Sequence, residues 1–428
     1  MPDRISIFPI LLVNFIGTLG YSIILPFLVV LVLKFGGNEL IYGIMGATYS
    51  FFQLLGAPIL GSWSDRFGRK KILLLSQAGT FVAWILFVVA LIIPNATLIR
   101  METAAFGLSS ITLPLVILFA ARALDGITGG NVSVANAYLA DVTTEEDRKT
   151  NFGKMSASAN IGFIIGPALA GLLGATVYGE LVPVLLAMFV SLAAIFIIAL
   201  MLRESSPCTI HRPVDERRIK KVLGQEHKEC YKMAGAEKVR LKDVLLLKNI
   251  PFALVLYFLI FLAFNFFYVA FPVHAVQALE WSLPELGVFF SVLSLIMVGV
   301  QGPLLSKISN RYSDGVLTVA GSILLATSFF LLTSENVVVI YASVVLFAGG
   351  NGIMWPSFLA LLSKLAGSRY QGAVQGFASS AGSMASIAGL IAGGVVYGMI
   401  GVLTFVIPGV LLLVIFGLSF RLLQLEDA

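Results

Sequence analysis

Twelve apolar runs, each long enough to cross a hydrocarbon layer as a helix, constrain this chain more than any other feature. A layer roughly 30 Å thick takes about 20 helical residues. Such runs lie at about 7–33, 40–63, 72–94, 110–140, 152–178, 182–202, 250–278, 284–306, 315–333, 337–363, 372–398 and 401–422. A segment in lipid must satisfy its own backbone hydrogen bonds, and these runs lack the alternation of barrel strands, so they are read as helices. With 58% apolar and 12% charged residues, the chain is excluded from the ordinary water-soluble domains. The expected fold class is an all-α integral membrane protein. Its domains are an N-terminal six-helix bundle over 1–203, a linker over 204–248 and a C-terminal six-helix bundle over 249–428.

Orientation follows from the basic residues. Lys34 and Arg100 fall in loops of one parity and Arg122 lies within a span, whereas all other Lys and Arg lie on the opposite side, which is expected to be the cytoplasm. An even number of spans puts both termini there. The first run is too long for a signal-peptide core and is read as a retained helix. The linker carries eleven Lys or Arg against seven Asp or Glu and reads as a solvated tether, with a partly helical segment on the membrane surface, where Leu241, Val244, Leu245 and Leu247 lie next to Lys238, Arg240 and Lys242, as the other reading. Cys208 and Cys230 both fall in it, where thiols stay reduced, so no structural disulfide is expected.

Within the spans, Arg122 and Asp125 are the only full charges placed well inside, and at i, i+3 they share a helix face. An ionisable pair in the membrane is a functional candidate by default, because burying either charge is expensive. Two roles stand open: Asp125 carries protons while Arg122 modulates it, or the pair is permanently neutralised and only packs. Gly126 and Gly130, Gly162 and Gly166, and Gly389 and Gly393 are each four residues apart, so each pair lets a neighbouring helix approach one face closely. Pro167 removes a backbone donor and is expected to bend its helix.

Residues 61–71 read Gly-Ser-Trp-Ser-Asp-Arg-Phe-Gly-Arg-Lys-Lys, a compact charged turn between two spans. Gly61 and Gly68 are expected to supply backbone freedom, while Arg66, Arg69, Lys70 and Lys71 hold the turn on the cytoplasmic side. Asp65 then sits near a membrane boundary, where it must be paired, cap a helix, or be used. The segment resembles the loop between the second and third helices of major facilitator superfamily transporters, whose pattern is Gly-x-Leu-x-Asp-Arg-x-Gly-Arg-basic-x; only Trp63 departs from it. Arg122 followed by Gly126 is similar to the family's fourth-helix motif. Gly162-Phe-Ile-Ile-Gly166-Pro167-Ala-Leu-Ala-Gly171 resembles the antiporter motif of the fifth helix, found mainly in exporters. The pattern looks most like the tetracycline and multidrug proton-antiporter group.

A weak internal repeat agrees with that resemblance. Aligning Pro58 with Pro303 brings Arg66 onto Arg311 and Phe67 onto Tyr312, and aligning Gly166 with Gly389 brings Gly171 onto Gly394. The resemblance implies two pseudo-symmetric six-helix bundles with a binding site between them near the midplane. It also implies that Asp65, Arg69 and Asp141, with Arg66 near, form a charge cluster closing the cytoplasmic side in the outward-open state. A purely topological role for these basic residues, with Asp65 capping a helix, is the competing reading. Tetracycline exporters carry acids in the first, third and ninth helices, and this chain has none there. Cavity candidates are instead Asn14, Tyr21, Gln53, Asn131, Asn136, Asn265, Tyr268, Asn351 and Trp355, with His274 toward the outer end of the seventh span. Amides and aromatics can orient an amphiphilic guest, although any one Asn can equally bond between helices.

The chain therefore reads as a secondary active transporter that moves a small organic solute by alternating access, with proton-coupled efflux of a drug-like or amphiphilic compound favoured. The alternative is a carrier of an organic anion or a metal-chelating metabolite such as a siderophore, with Arg122 meeting a carboxylate. A non-transporting receptor on a carrier scaffold is a third class. No P-loop, HExxH, GxSxG or metal-spaced Cys/His cluster appears, so neither enzyme chemistry, a cofactor nor a bound metal is expected. The expected partners are the substrate, protons and the lipid bilayer, with no nucleic acid. The protein should be a monomer in a cell membrane, the inner membrane in a bacterium.

Overall fold

The computed structural model describes residues 6–103, 107–129, 131–143, 145–205 and 244–426. Both cysteines and most of the linker lie outside them. The first helices are α1 (Phe8–Lys34), α2 (Glu39–Phe67), α3 (Arg69–Ile92), α4 (Leu113–Thr128), α5 (Asn131–Val142), α6 (Glu145–Gly174) and α7 (Leu181–Met201). After the linker come α8 (Ile250–Gln277), α9 (Leu283–Gly299), a π-turn at Val300–Leu304 and the short α10 (Leu305–Ile308). The chain closes with α11 (Asp314–Leu331), α12 (Val337–Ile400), a 3-10 turn at Gly401–Phe405 and α13 (Val406–Glu426).

Among the described residues, eleven helical stretches are long and apolar enough to cross a membrane, where the sequence suggests twelve. The last of them, Val374–Leu423, runs for 50 residues. A 3-10 turn interrupts it at Gly401, whose φ of +56° an L side chain rarely adopts. A count of twelve requires dividing the stretch there and belongs to the proposed topology.

Two local departures from the expected pattern have clear causes. The run expected from 110 starts at Leu113, because Thr97–Thr103 and Gly107–Thr112 pair as a two-stranded hairpin, β1 and β2. Thr112 is extended and Pro114 opens the helix, where its missing N–H costs nothing. In the 61–71 segment, α2 continues through Phe67 and α3 begins at Arg69, so Gly68 alone makes the turn, at φ +100°. Gly61 lies inside α2 with open space around it and is not a turn residue.

The chain divides into two units. The first is Met1–Gly36, Thr48–Met101 and Ser110–Ala234; the second is Gly37–Ala47, Glu102–Ser109 and Gly235–Ala428. The first turns of α2 thus group with the second unit.

Within the first unit, α1 packs on α6 and α7, and α3 on α4 and α7. The antiporter-motif glycines make the α1 contact: a Cβ on Gly162 would lie 2.9 Å from Leu19 N and Phe15 O. Ser22 Oγ donates to Gly162 O at 2.9 Å across the same seam. Ile10, Leu60, Leu73, Tyr138, Leu139 and Ile198 form a buried apolar cluster joining α1, α2, α3, α5 and α7. In the second unit α12 packs on α8 and α11. A Cβ on Gly389 would lie 2.8 Å from Asn265 Cβ and 2.9 Å from Leu262 O, so Gly389 repeats on α8 what Gly166 does on α1. Stacked phenylalanines fill this unit's core, with Phe271 and Phe289 centroids 4.0 Å apart.

Candidate functional site

Two charge clusters stand out in the first unit. At the turn between α2 and α3, Arg69 is buried and reaches two carboxylates, Asp65 Oδ1 at 2.6 Å and Asp141 Oδ2 at 3.0 Å. Asp65 comes from the last turn of α2, on the other side of the Gly68 turn, and Asp141 arrives from the last turn of α5. Arg69 also donates to Ser64 Oγ at 2.5 Å. Arg66 points elsewhere, with its guanidinium 4.9 Å from the Phe67 ring centroid.

Residues beyond the sequence expectations complete this cluster. Glu204, which follows α7, accepts from the backbone N–H of Arg69 at 2.7 Å and of Lys70 at 3.3 Å. It thereby caps the N-terminus of α3, which has no acidic residue in its own first turn. The turn requires glycine twice over: a Cβ on Gly68 would lie 2.5 Å from Glu204 Oε2, and its φ is positive. Ser205 Oγ donates to Asp141 Oδ2 at 3.0 Å, and Lys70 Nζ donates to Ala199 O at 2.8 Å. No spacing rule links 204 to 69, so only the fold could bring them together.

The second cluster lies within the span formed by α4. Arg122 Nη1 meets Asp125 Oδ2 at 3.4 Å, and both side chains are largely buried. The guanidinium lies 4.3 Å from the Tyr49 ring centroid, a cation–π contact supplied by α2. Tyr49 in turn lies 5.4 Å from the Tyr21 ring, which has Phe163 at 6.1 Å on its other side. Gln53 Nε2 donates to Tyr49 Oη at 3.1 Å, and the Thr80 hydroxyl hydrogen-bonds the Asp125 carboxylate. Arg122 Nε is buried and, among the described residues, has no hydrogen-bond partner. The fold thus gathers Tyr21, Gln53, Arg122 and Asp125, and adds Tyr49, Thr80 and Phe163. Tyr49 precedes the candidate Gln53 by one turn, and that spacing is the one sequence signal that links it to this group.

The remaining candidates divide. Asn14 Nδ2 donates to Met155 O and to Ser158 Oγ, each at 2.9 Å, and so ties α1 to α6. Asn265 Nδ2 likewise bonds Ser386 Oγ at 3.0 Å and Phe261 O at 2.7 Å. These two amides serve interhelical packing. Asn136 is half-buried on α5, and the Asn131 side chain lies outside the described residues. In the second unit Trp355 packs against Tyr257 and Phe261, each centroid 5.1 Å away. Asn351, one turn before Trp355, keeps a buried Oδ1 without a partner among the described residues, while its Nδ2 faces Met297 Sδ at 3.6 Å. Tyr268 accepts at its carbonyl from Tyr42 Oη at 3.3 Å. His274 is buried, with Nδ1 3.0 Å from Tyr397 Oη. Gly166 and Gly162 face α1 on α6, with Pro167 inside the same helix and Gly171 in its last turn.

The chain is similar to known proteins over most of its length. The family profile described as the Major Facilitator Superfamily matches residues 10–390. The tetracycline resistance protein, class C, of Escherichia coli is 27% identical over 348 residues, covering 81% of this chain and 78% of that protein. Multidrug resistance protein 2 of Bacillus subtilis (strain 168) is 25% identical over 429 residues, covering 97% and 95% of the two chains. Among solved structures, the human organic anion transporter MFSD10 (TETRAN) superposes with a TM-score of 0.67 at 19% identity, covering 98% of this chain and 100% of that one. At that identity the likeness speaks for the fold.

Proposed function

Because the chain belongs to the Major Facilitator Superfamily, we propose that it exports a drug-like amphiphilic solute in exchange for protons by alternating access. The observation that carries the proposal is the Arg122–Asp125 pair, buried inside a span and backed by Tyr49. Charge at that depth is costly unless used. The names of its relatives, resistance proteins for tetracycline and for multiple drugs, favour export.

In this reading Asp125 takes up a proton when its site faces outward and releases it when the site faces the cytoplasm. Arg122 supplies the countercharge to the carboxylate between these events, so that the emptied site holds no unpaired anion. One proton moving down 100 mV supplies about 2.3 kcal/mol, enough to hold about a 50-fold gradient of a neutral solute. Asp65, Arg69, Asp141 and Glu204 latch the cytoplasmic ends of α2, α3, α5 and α7 in the outward-open state. Both termini face the cytoplasm, twelve spans cross the bilayer, and the monomer is the working unit.

The test is flux of fluorescent amphiphiles and of tetracycline in proteoliposomes under an imposed pH gradient. Asp125→Asn should abolish gradient-driven accumulation while substrate binding persists. Full coupling in that variant would remove Asp125 from the proton path. Arg122 Nε, buried without a partner, favours a second reading in which the guanidinium meets a substrate carboxylate. Counterflow of labelled carboxylates with no response to amphiphiles would select this organic-anion or metal-chelate carrier.

A further inference from the structure

We propose that Asp314 and Lys364 form a positioning pair for transport, the polarity-reversed counterpart in the second unit of Arg69 and Asp141 in the first. The proposal rests on the carrier reading above and extends it to residues outside both clusters.

The internal repeat supplies the correspondence. The register that sets Pro58 on Pro303 sets Arg69 on Asp314, and the register that sets Gly166 on Gly389 sets Asp141 on Lys364. Positions matched in this way form an ion pair in each unit. Arg69 Nε meets Asp141 Oδ2 at 3.0 Å, and Lys364 Nζ meets Asp314 Oδ2 at 2.6 Å. The contact is duplicated while the charges are exchanged. What the repeat has kept is therefore the bond between two helices at one place, and not the residue types that make it.

Helix ends explain how the polarity could reverse. The N-terminus of an α-helix favours an anion and the C-terminus a cation. Asp314 opens α11, so one carboxylate serves both the helix end and Lys364. Arg69 opens α3 and Asp141 lies in the last turn of α5, so each opposes the dipole of its own helix. Glu204 offsets this in the first unit by accepting from the Arg69 and Lys70 backbone N–H groups at 2.7 and 3.3 Å. Two acids there divide what Asp314, beside the N-cap Ser313, does in the second unit. Asp314 and Lys364 thus hold α11 to α12 as Arg69 and Asp141 hold α3 to α5, and each pair keeps two helices moving as one body when the carrier rocks.

Two experiments test this at matched membrane abundance, with wild-type flux in the same vesicles as the check on the carrier reading itself. Asp314→Asn and Lys364→Gln should each slow flux about threefold, and the double variant should be no slower than either single one. The second experiment gives the first unit the polarity of the second by Arg69→Asp with Asp141→Lys. Glu204→Gln should slow the wild type, yet speed this exchanged form, where Glu204 would face a new carboxylate. A merely structural Glu204 gives the same sign in both backgrounds. Wild-type flux in both single variants, additive losses in the double one, or an unchanged sign for Glu204→Gln would each overturn the proposal. A thermal-shift double-mutant cycle on Asp314 and Lys364 in detergent reads the same pairing without any substrate. Failure to find a transported solute therefore sinks the carrier reading and leaves the pairing decided.

Discussion

Asp141→Asn should destabilise the protein more than Asp65→Asn, although both carboxylates meet the same guanidinium and Asp65 is the nearer, at 2.6 Å against 3.0 Å. Distance ranks them one way and burial the other. The Asp65 side chain is 35% exposed and Asp141 13%, against 6% for Arg69. Solvent screens the first pair, leaving it worth about 0.3–1 kcal/mol. Asp141 also accepts from Ser205 Oγ, and Asn at this position keeps an acceptor for that hydroxyl but takes from the buried guanidinium its more enclosed countercharge. Breaking a buried pair costs 3–5 kcal/mol where burial is complete, and here about 2–3 kcal/mol, since Asp65 and Ser64 still face Arg69. The difference of roughly 2 kcal/mol corresponds to a Tm gap of about 4–8 °C for a unit of this size. Thermal shift of the purified carrier in detergent measures it, at about 0.05 M and again at about 0.5 M salt. The Asp65→Asn effect should fade in high salt and the Asp141→Asn effect should persist. Equal shifts, or a salt dependence shared by both variants, would refute the assignment of the stability to burial.

The glycines of the two motifs should respond in opposite ways. Gly162→Val drives a branched side chain into the α1 backbone and should sharply lower the folded yield, whereas Gly61→Ala meets open space inside α2 and should stabilise by up to about 1 kcal/mol. Size-exclusion profiles and thermal shift check both. Asn14→Ala removes the two α1–α6 hydrogen bonds at 2.9 Å and should cost about 1 kcal/mol in stability while flux per folded molecule stays near wild type. A specific loss of substrate affinity in that variant would return Asn14 to the cavity.

Much of the candidate site was legible because its partners are close in sequence. Asp65 and Arg69 are four positions apart across the Gly68 turn, Arg122 and Asp125 are one turn apart on α4, and a charge near or inside a span announces itself against an apolar background. What escaped detection comes from other helices. Glu204 reaches Arg69 across 135 positions, and Tyr49 and Thr80 approach Arg122 and Asp125 from α2 and α3. Asn14 and Asn265 looked like cavity groups by composition, and the fold spends both on seams between helices, a distinction no single-chain pattern carries.

The amino-acid sequence by itself determined the solvent, the helices and the duplication. Hydropathy over 20 residues, the bias of Lys and Arg, and the repeated glycines are one-dimensional quantities that lipid reads directly. Tertiary structure alone decided that Gly68 makes the whole turn, that Glu204 caps α3 and that Arg122 rests on an aromatic ring. Those outcomes depend on which helix faces which, and at what height, and packing between distant segments sets both.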